Sequence, residues 1–110
     1  MHTITTRQLK QMQERDPNLT LINTLPEEHF EQTRVPGAIN IPLDSKDFVA
    51  RVEQQAGGRD QPVVVYCASA QCNSSEKAAE QLKKAGFTSV LDYQGGAEAW
   101  QNEEAGVQAG

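Results

Sequence analysis

A parallel β-sheet covered by helices on both faces is the fold this sequence predicts, and three observations predict it. Short apolar runs alternate with helical patterns along nearly the whole chain. One run, "PVVVY" at residues 62–66, is continuous and β-branched, as a strand buried on both faces must be. The 110 residues fit one domain with one modest core, and 37% hydrophobic content is ordinary for such a domain.

Each element has its own signal. "HTIT" near the start reads as an edge strand, and Thr6 as the cap of a helix running through Gln13. "TLIN" (20–23) is a strand between Pro17 and Pro26, and "AINIPL" (38–43) is another, entered through the Pro36-Gly37 turn. In "SKDFVARVEQQAGG", Phe48, Val49 and Val52 fall at helical spacing and Gly57-Gly58 is the stop. "PVVVY" follows. "SSEKAAEQLKKAGF" sets Ala78, Leu82 and Ala85 on one helical face and closes at Gly86. "SVLDY" (89–93) is the next strand, and "GGAEAWQNEEAG" opens a last short helix. The final "GVQAG" is expected to be loose. The chain shows no internal repeat, so residues 1–110 are expected to form one domain.

Charge and hydropathy exclude several classes of function. A net charge of −5 argues against a nucleic-acid footprint. The start "MHTITTRQLKQMQERD" has no apolar core of a secretory signal, and no stretch approaches a membrane span. The expected compartment is therefore the cytoplasm, where thiols stay reduced. His2 and His29 are isolated and no Cys-x2-Cys pair exists, so neither metal nor other cofactor is expected. His29 reads as a helix-surface residue and Trp100 as core packing.

The chemistry is sought at Cys67. It ends the most buried-looking strand, at the carboxyl edge where open α/β sheets bind ligands. The residues after it, Ala68, Ser69, Ala70, Gln71, Cys72 and Asn73, must turn the chain into a helix N-terminus. Backbone N–H groups in such a turn form an anion nest, and the helix dipole adds positive potential, so a thiolate is favoured there. Asn73 or Ser75 is placed to cap the helix, with Glu76 in capping-box register to Asn73. Position alone equally allows Cys67 to be a small buried hydrophobe.

"VVVYC", "KAAEQLKKAGFTSVLDYQGGAEAW", "RVPGAINIPL" and "LINTLPEEHF" together resemble the rhodanese-like domain family, over nearly the whole chain to Trp100. The Gly95-Gly96 and Ala99-Trp100 pairs carry much of the resemblance. It implies a five-stranded parallel sheet with helices on both faces. It also implies a cysteine that carries sulfane sulfur as a persulfide from a donor such as thiosulfate to a thiophilic acceptor.

The chain departs from that pattern where donors bind. Family loops commonly carry basic residues after the cysteine; here residues 68–72 are uncharged and the fifth position is Cys72. The interval from Cys67 to Ala78-Ala79 is about two residues longer than usual. Asn23-Thr24-Leu25 stands where Asp-Val-Arg is common, and His29-Phe30 where Glu-Tyr is, as if one buried ion pair had been replaced as a unit. Arg34 replaces a usual histidine and reads as a solvated arginine, or one reaching the anion site.

Three functions follow from these residues. The first is sulfur transfer through a Cys67 persulfide, weak with thiosulfate, with a small donor or protein persulfide and a thiol acceptor as partners. The second is a redox module in which Cys72 resolves Cys67. The third is a non-catalytic binding module. A phosphatase is disfavoured because Asn73 stands where its arginine is needed. No nucleic-acid or membrane partner is expected.

Overall fold

The computed structural model describes residues 2–109. Four strands carry the sheet: β2 (Thr20–Asn23), β3 (Ala38–Asn40), β4 (Val63–Tyr66) and β5 (Val90–Tyr93). A two-residue ladder, β1 (His2–Thr3), joins the edge beside β5. The order is β1-β5-β4-β2-β3 and every pair is parallel. Where five strands were the expectation, the sheet has four strands of ordinary length and only a two-residue ladder at its edge. "HTIT" pairs only at His2–Thr3 because Thr5 leaves the sheet to cap the next helix.

Helices cover both faces. On one lie α3 (Phe48–Ala56) and α4 (Ser74–Lys84), over a core that includes Ile22, Phe48, Val52, Val63, Val65, Ala79, Leu82 and Val90. On the other lie α1 (Thr6–Arg15) and α5 (Gly96–Ala109), over Leu9, Leu21, Val64, Tyr66, Tyr93 and Ala97. A helical turn α2 (Glu27–Phe30) and a 3-10 turn (Glu31–Thr33) link β2 to β3. β2 and β4 are buried at all four positions because each sits inside the sheet and under helices on both sides.

Several boundaries differ from the sequence reading. Thr5, not Thr6, caps α1, in a reciprocal box with Gln8, and the helix runs on past Gln13 to Arg15. β3 stops at Asn40, before Pro42, as an edge strand with Ile39 half-exposed. α5 is long: its backbone continues through residues 106–109, where a loose end was the expectation, and Gly110 lies outside the described residues. Gly57 does stop α3, in the left-handed conformation (φ 86°). Among the described residues, no helix is long and apolar enough to cross a membrane.

Candidate active site

β2 and β4 are neighbours in space but are separated in the chain by β3, so the strand order reverses between them. Their carboxyl ends therefore open onto a crevice, and Cys67 is the first residue beyond β4 at that point. Alternation puts Val63, Val65 and Cys67 on the α3/α4 face. The same alternation places Thr24 past the end of β2 and Asp92 in β5 on that face, with Asp92 paired to Val65. Cys67, Thr24 and Asp92 thus lie on one face of the sheet, the face that α4 covers.

The loop from Cys67 to Asn73 is clamped at its root. α5 begins against it, and the N–H groups of Ala97 and Glu98 donate to the carbonyls of Cys67 (3.0 Å) and Ala68 (2.8 Å). Gly96 enters α5 with φ +64°, and a Cβ there would lie 2.3 Å from the Cys67 carbonyl oxygen. Only glycine fits both the conformation and the contact. At its far end the loop turns on a bond from Cys72 N–H to the Ser69 carbonyl (3.1 Å). Asn73 occupies the cap position of α4, but its side chain makes no capping bond, contrary to the expected capping box. The long interval from Cys67 to Ala78 is shared between a seven-residue loop and an early helix start at Ser74. Gln71 and Asn73 are exposed, as is Ala70.

Cys67 is 1% exposed and Cys72 half-buried, and both are free thiols. Cys67 Sγ lies 3.3 Å from the Cys72 carbonyl and 3.6 Å from Ser75 Oγ. Burial pushes the Cys67 thiol up, helped by its contact with the Cys72 side chain, while the Ser75 N–H and the Ser74 and Ser75 hydroxyls pull the other way. Burial acts to raise Cys72 too, but hydrogen bonds from the Cys67 thiol, Ser74 and the Ala68 backbone outweigh it and hold Cys72 below the usual thiol range. Among the described residues no Lys or Arg acts on either thiol. The expected nest is therefore only partial. A carbonyl and the Ser75 N–H face Cys67, where a ring of N–H groups from residues 68–73 was the expectation.

Ser74 links the loop to the crevice. Its hydroxyl meets Cys72 Sγ (3.4 Å) and Thr24 Oγ1 (3.0 Å), and Thr24 also donates to the Tyr66 carbonyl (3.2 Å). A cavity of about 210 Å³ opens beside this pair, lined by Thr24, Leu25, Pro26, Leu43, Asp44 and Ser74. Its one charged lining residue is acidic.

The buried substitutions in the early motif form a neutral network. Asn23 Nδ2 donates to Thr33 Oγ1 and Tyr66 OH, each at 3.1 Å, while Tyr66 OH donates to the Thr33 carbonyl (2.8 Å) and accepts from Val35 N–H (3.0 Å). The side chains of Leu25 and His29, which stand where the resemblance put an ion pair, take no part in this network. Arg34 does not reach the loop: it bonds Glu31 at 2.6 Å and lies over the Phe30 ring. His29 is exposed on α2. Trp100 packs partly buried on the second core, with Lys10 Nζ 5.0 Å from the ring centre.

Sequence reasoning missed Asp92 altogether. The signal for Asp92 was present: a carboxylate stands mid-strand in "SVLDY", where both faces are covered.

The model of a family described as the Rhodanese-like domain matches residues 5–103. Adenylyltransferase and sulfurtransferase UBA4 of Meyerozyma guilliermondii is 31% identical over 93 residues, covering 81% of this chain but only 22% of that protein. Thiosulfate sulfurtransferase GlpE of Pseudomonas savastanoi pv. phaseolicola is 30% identical over 87 residues, 78% of this chain and 76% of that protein. Among solved structures, a rhodanese-like domain protein from Staphylococcus aureus superposes with a TM-score of 0.73 over 91% of each chain, at 23% identity.

Proposed function

We propose that this chain, which belongs to the rhodanese-like domain family, is a sulfurtransferase or sulfane-sulfur carrier with its persulfide on Cys67. The observation that carries the reading is the position of Cys67: it ends the central strand at the switch point, against the first turn of α4, in a loop clamped by α5. In the forward step the Cys67 thiolate attacks the outer sulfur of a donor R–S–SH. A Cys67–S–SH bond forms, the donor S–S bond breaks, and R–S⁻ leaves with the electron pair. An acceptor thiolate then takes the outer sulfur and regenerates the Cys67 thiolate.

The same geometry bears on donor class. A buried thiol with a raised pKa and an uncharged loop both disfavour a dianion. A donor less charged than thiosulfate, such as a low-molecular persulfide or a protein persulfide, is the better one, and thiosulfate the poorer one. Both thiols stay available only in a reducing compartment such as the cytoplasm.

A second reading has its own observation. Cys67 Sγ lies 3.3 Å from the Cys72 carbonyl, so the two cysteines are neighbours across one turn, and the Cys67 thiol is among the groups that lower Cys72. Cys72 would then attack the inner sulfur of the Cys67 persulfide, forming a Cys67–Cys72 disulfide and releasing hydrosulfide.

Intact mass under non-reducing conditions tests both. After incubation with a low-molecular persulfide, wild-type protein should gain one sulfur, and Cys72→Ser should gain it too. Cys67→Ser should not. Loading of Cys67→Ser overturns the assignment. A product two protons lighter with no sulfur gained, absent in Cys72→Ser, supports the resolving role.

A further inference from the structure

The buried carboxyl of Asp92 is used by nothing described so far. It is 3% exposed, and its Oδ1 has no hydrogen-bond partner. Its strand neighbours on this face are Val65 of β4 and Thr3 of β1. From α4, Ser75 and Glu76 face it; the hydroxyl favours its ionised form, and the Glu76 charge opposes ionisation. Burial has the largest effect and raises its pKa. Among the described residues no cation acts on it. An uncompensated carboxyl inside an apolar sheet is costly, so its presence calls for a reason.

Ser75 is shared. Its Oγ is 3.6 Å from Cys67 Sγ, and it is itself 2% exposed. Ser75, in the first turn of α4, lies over the face that carries both Cys67 and Asp92, and all three side chains are buried.

We infer that Asp92, acting through the Ser75 hydroxyl, is the proton acceptor for Cys67. The Cys67 S–H proton passes to Ser75 Oγ, the Ser75 hydroxyl proton passes to the Asp92 carboxylate, and the products are a Cys67 thiolate and a neutral Asp92 carboxyl. One negative charge is present before and after, so the loop never holds two. This relay replaces the loop cation that the uncharged segment 68–72 lacks. A carboxyl with a raised pKa suits the task, because it holds the proton better than an exposed aspartate would. Asp92 and Ser75 are thus positioning and relay residues that act on Cys67. The inference rests on Cys67 being the nucleophile.

The test uses Cys72→Ser as the parent, so that alkylation by iodoacetamide reports Cys67 alone. The parent should show a two-step pH–rate profile: a lower step as Asp92 ionises, then a second as the thiol titrates on its own. Asp92→Asn should lose the lower step, with a fall of at least about tenfold near neutral pH. Ser75→Ala should lose it as well, because the bridge is gone. Stability provides the second readout. A carboxyl with a raised folded pKa favours the folded state when protonated, and loses that advantage as pH rises through the folded value. Asp92→Asn should therefore be more stable than its parent at neutral pH, and the gain should vanish in acid. Activity and stability moving in opposite directions is what a merely structural aspartate would not give.

A single-step profile in the parent, or an unchanged profile in Asp92→Asn, overturns the relay. So does retention of the lower step in Ser75→Ala. The persulfide mass experiment on the same proteins separates the two ideas. A parent that takes up no sulfur removes the functional reading and the proposal with it. A parent that loads normally but lacks the lower step removes the relay alone.

Discussion

Replacing Gly96 by alanine measures how firmly α5 holds the Cys67 loop. Two costs arise from the geometry. Gly96 has φ +64°, a conformation that costs an L-residue about 1–2 kcal/mol. A Cβ there would stand 2.3 Å from the Cys67 carbonyl oxygen and 3.1 Å from the Ala68 carbonyl carbon, and those atoms are backbone. Relieving such overpacking typically costs about 1–3 kcal/mol. The sum is about 2–5 kcal/mol, a large share of the roughly 5–15 kcal/mol available to a small domain. Gly57 supplies the control. It is also left-handed, at φ +86°, but nothing lies within 4 Å of its would-be Cβ. Gly57→Ala should therefore show only the conformational cost, about 1–2 kcal/mol. Urea unfolding of the two variants and wild type gives both numbers. Equal losses for Gly96→Ala and Gly57→Ala would show that α5 does not press on the Cys67 peptide as described. A larger loss for Gly96→Ala, with slower Cys67 alkylation in protein that is still folded, is the expected result.

Other perturbations read other parts of the molecule. Tyr66→Phe removes the hydroxyl that accepts from Val35 N–H and Asn23 and donates to Thr33. It should cost about 1–3 kcal/mol in urea unfolding, because buried donors lose their acceptor. Cys72→Arg should raise thiosulfate turnover over Cys72→Ser by up to about ten- to a hundredfold, from a charge-assisted bond of about 1.5–3 kcal/mol. Equal turnover would mean that position 72 does not face the donor. Leu82→Ala, in the fully buried stripe of α4, should cost about 2–5 kcal/mol. If its urea midpoint is unchanged, α4 is not packed as described.

The fold was legible where periodicity and burial agree. "PVVVY" reads as a strand because β4 lies inside the sheet and under two helix layers, so no polar position interrupts its core; "TLIN" is buried at all four positions too, with its polar Asn23 held by hydrogen bonds to Thr33 and Tyr66. The amphipathic pattern of α4 was equally clear, since only one side of it, Ala78, Ala79 and Leu82, touches the sheet. Boundaries were less legible. Thr5 and Thr6 are equivalent as cap candidates until Gln8 is seen to close the box with Thr5. The long α5 was read as short because Gly106 interrupts its pattern, although an interior glycine costs only about 1 kcal/mol. At the site, sequence placed Cys67 at a strand end and Cys72 nearby. It did not single out Ser75 among the nearby serines as the one against the sulfur, because that contact depends on loop length and on where α4 begins. Asp92 is the instructive miss. With period-2 alternation and a parallel register, a carboxylate in β5 falls on the same face as Cys67, one pairing step below it. The deduction needed the strand order, and strand order is what local patterns do not contain.

The two thiols divide the site's chemistry by solvent exposure. Cys72 is the more accessible and the more readily ionised, so it is the easier sulfur for a reagent to meet. Cys67 is buried and harder to ionise, yet it is the sulfur in contact with the buried hydroxyl of α4. A persulfide is more acidic than its parent thiol, so loading Cys67 would place a lasting negative charge where only a transient one stood. That charge would repel an ionised Asp92 and favour its protonated form, ready to return a proton to the thiolate once sulfur departs. The same charge would raise Cys72 by like-charge repulsion and slow its attack on the persulfide. Burial at Cys67 and ionisation at Cys72 therefore oppose each other in time. On the proposed function, the empty site would present a reactive outer thiol and the loaded site would quiet it, which would let the sulfur persist long enough to reach an acceptor.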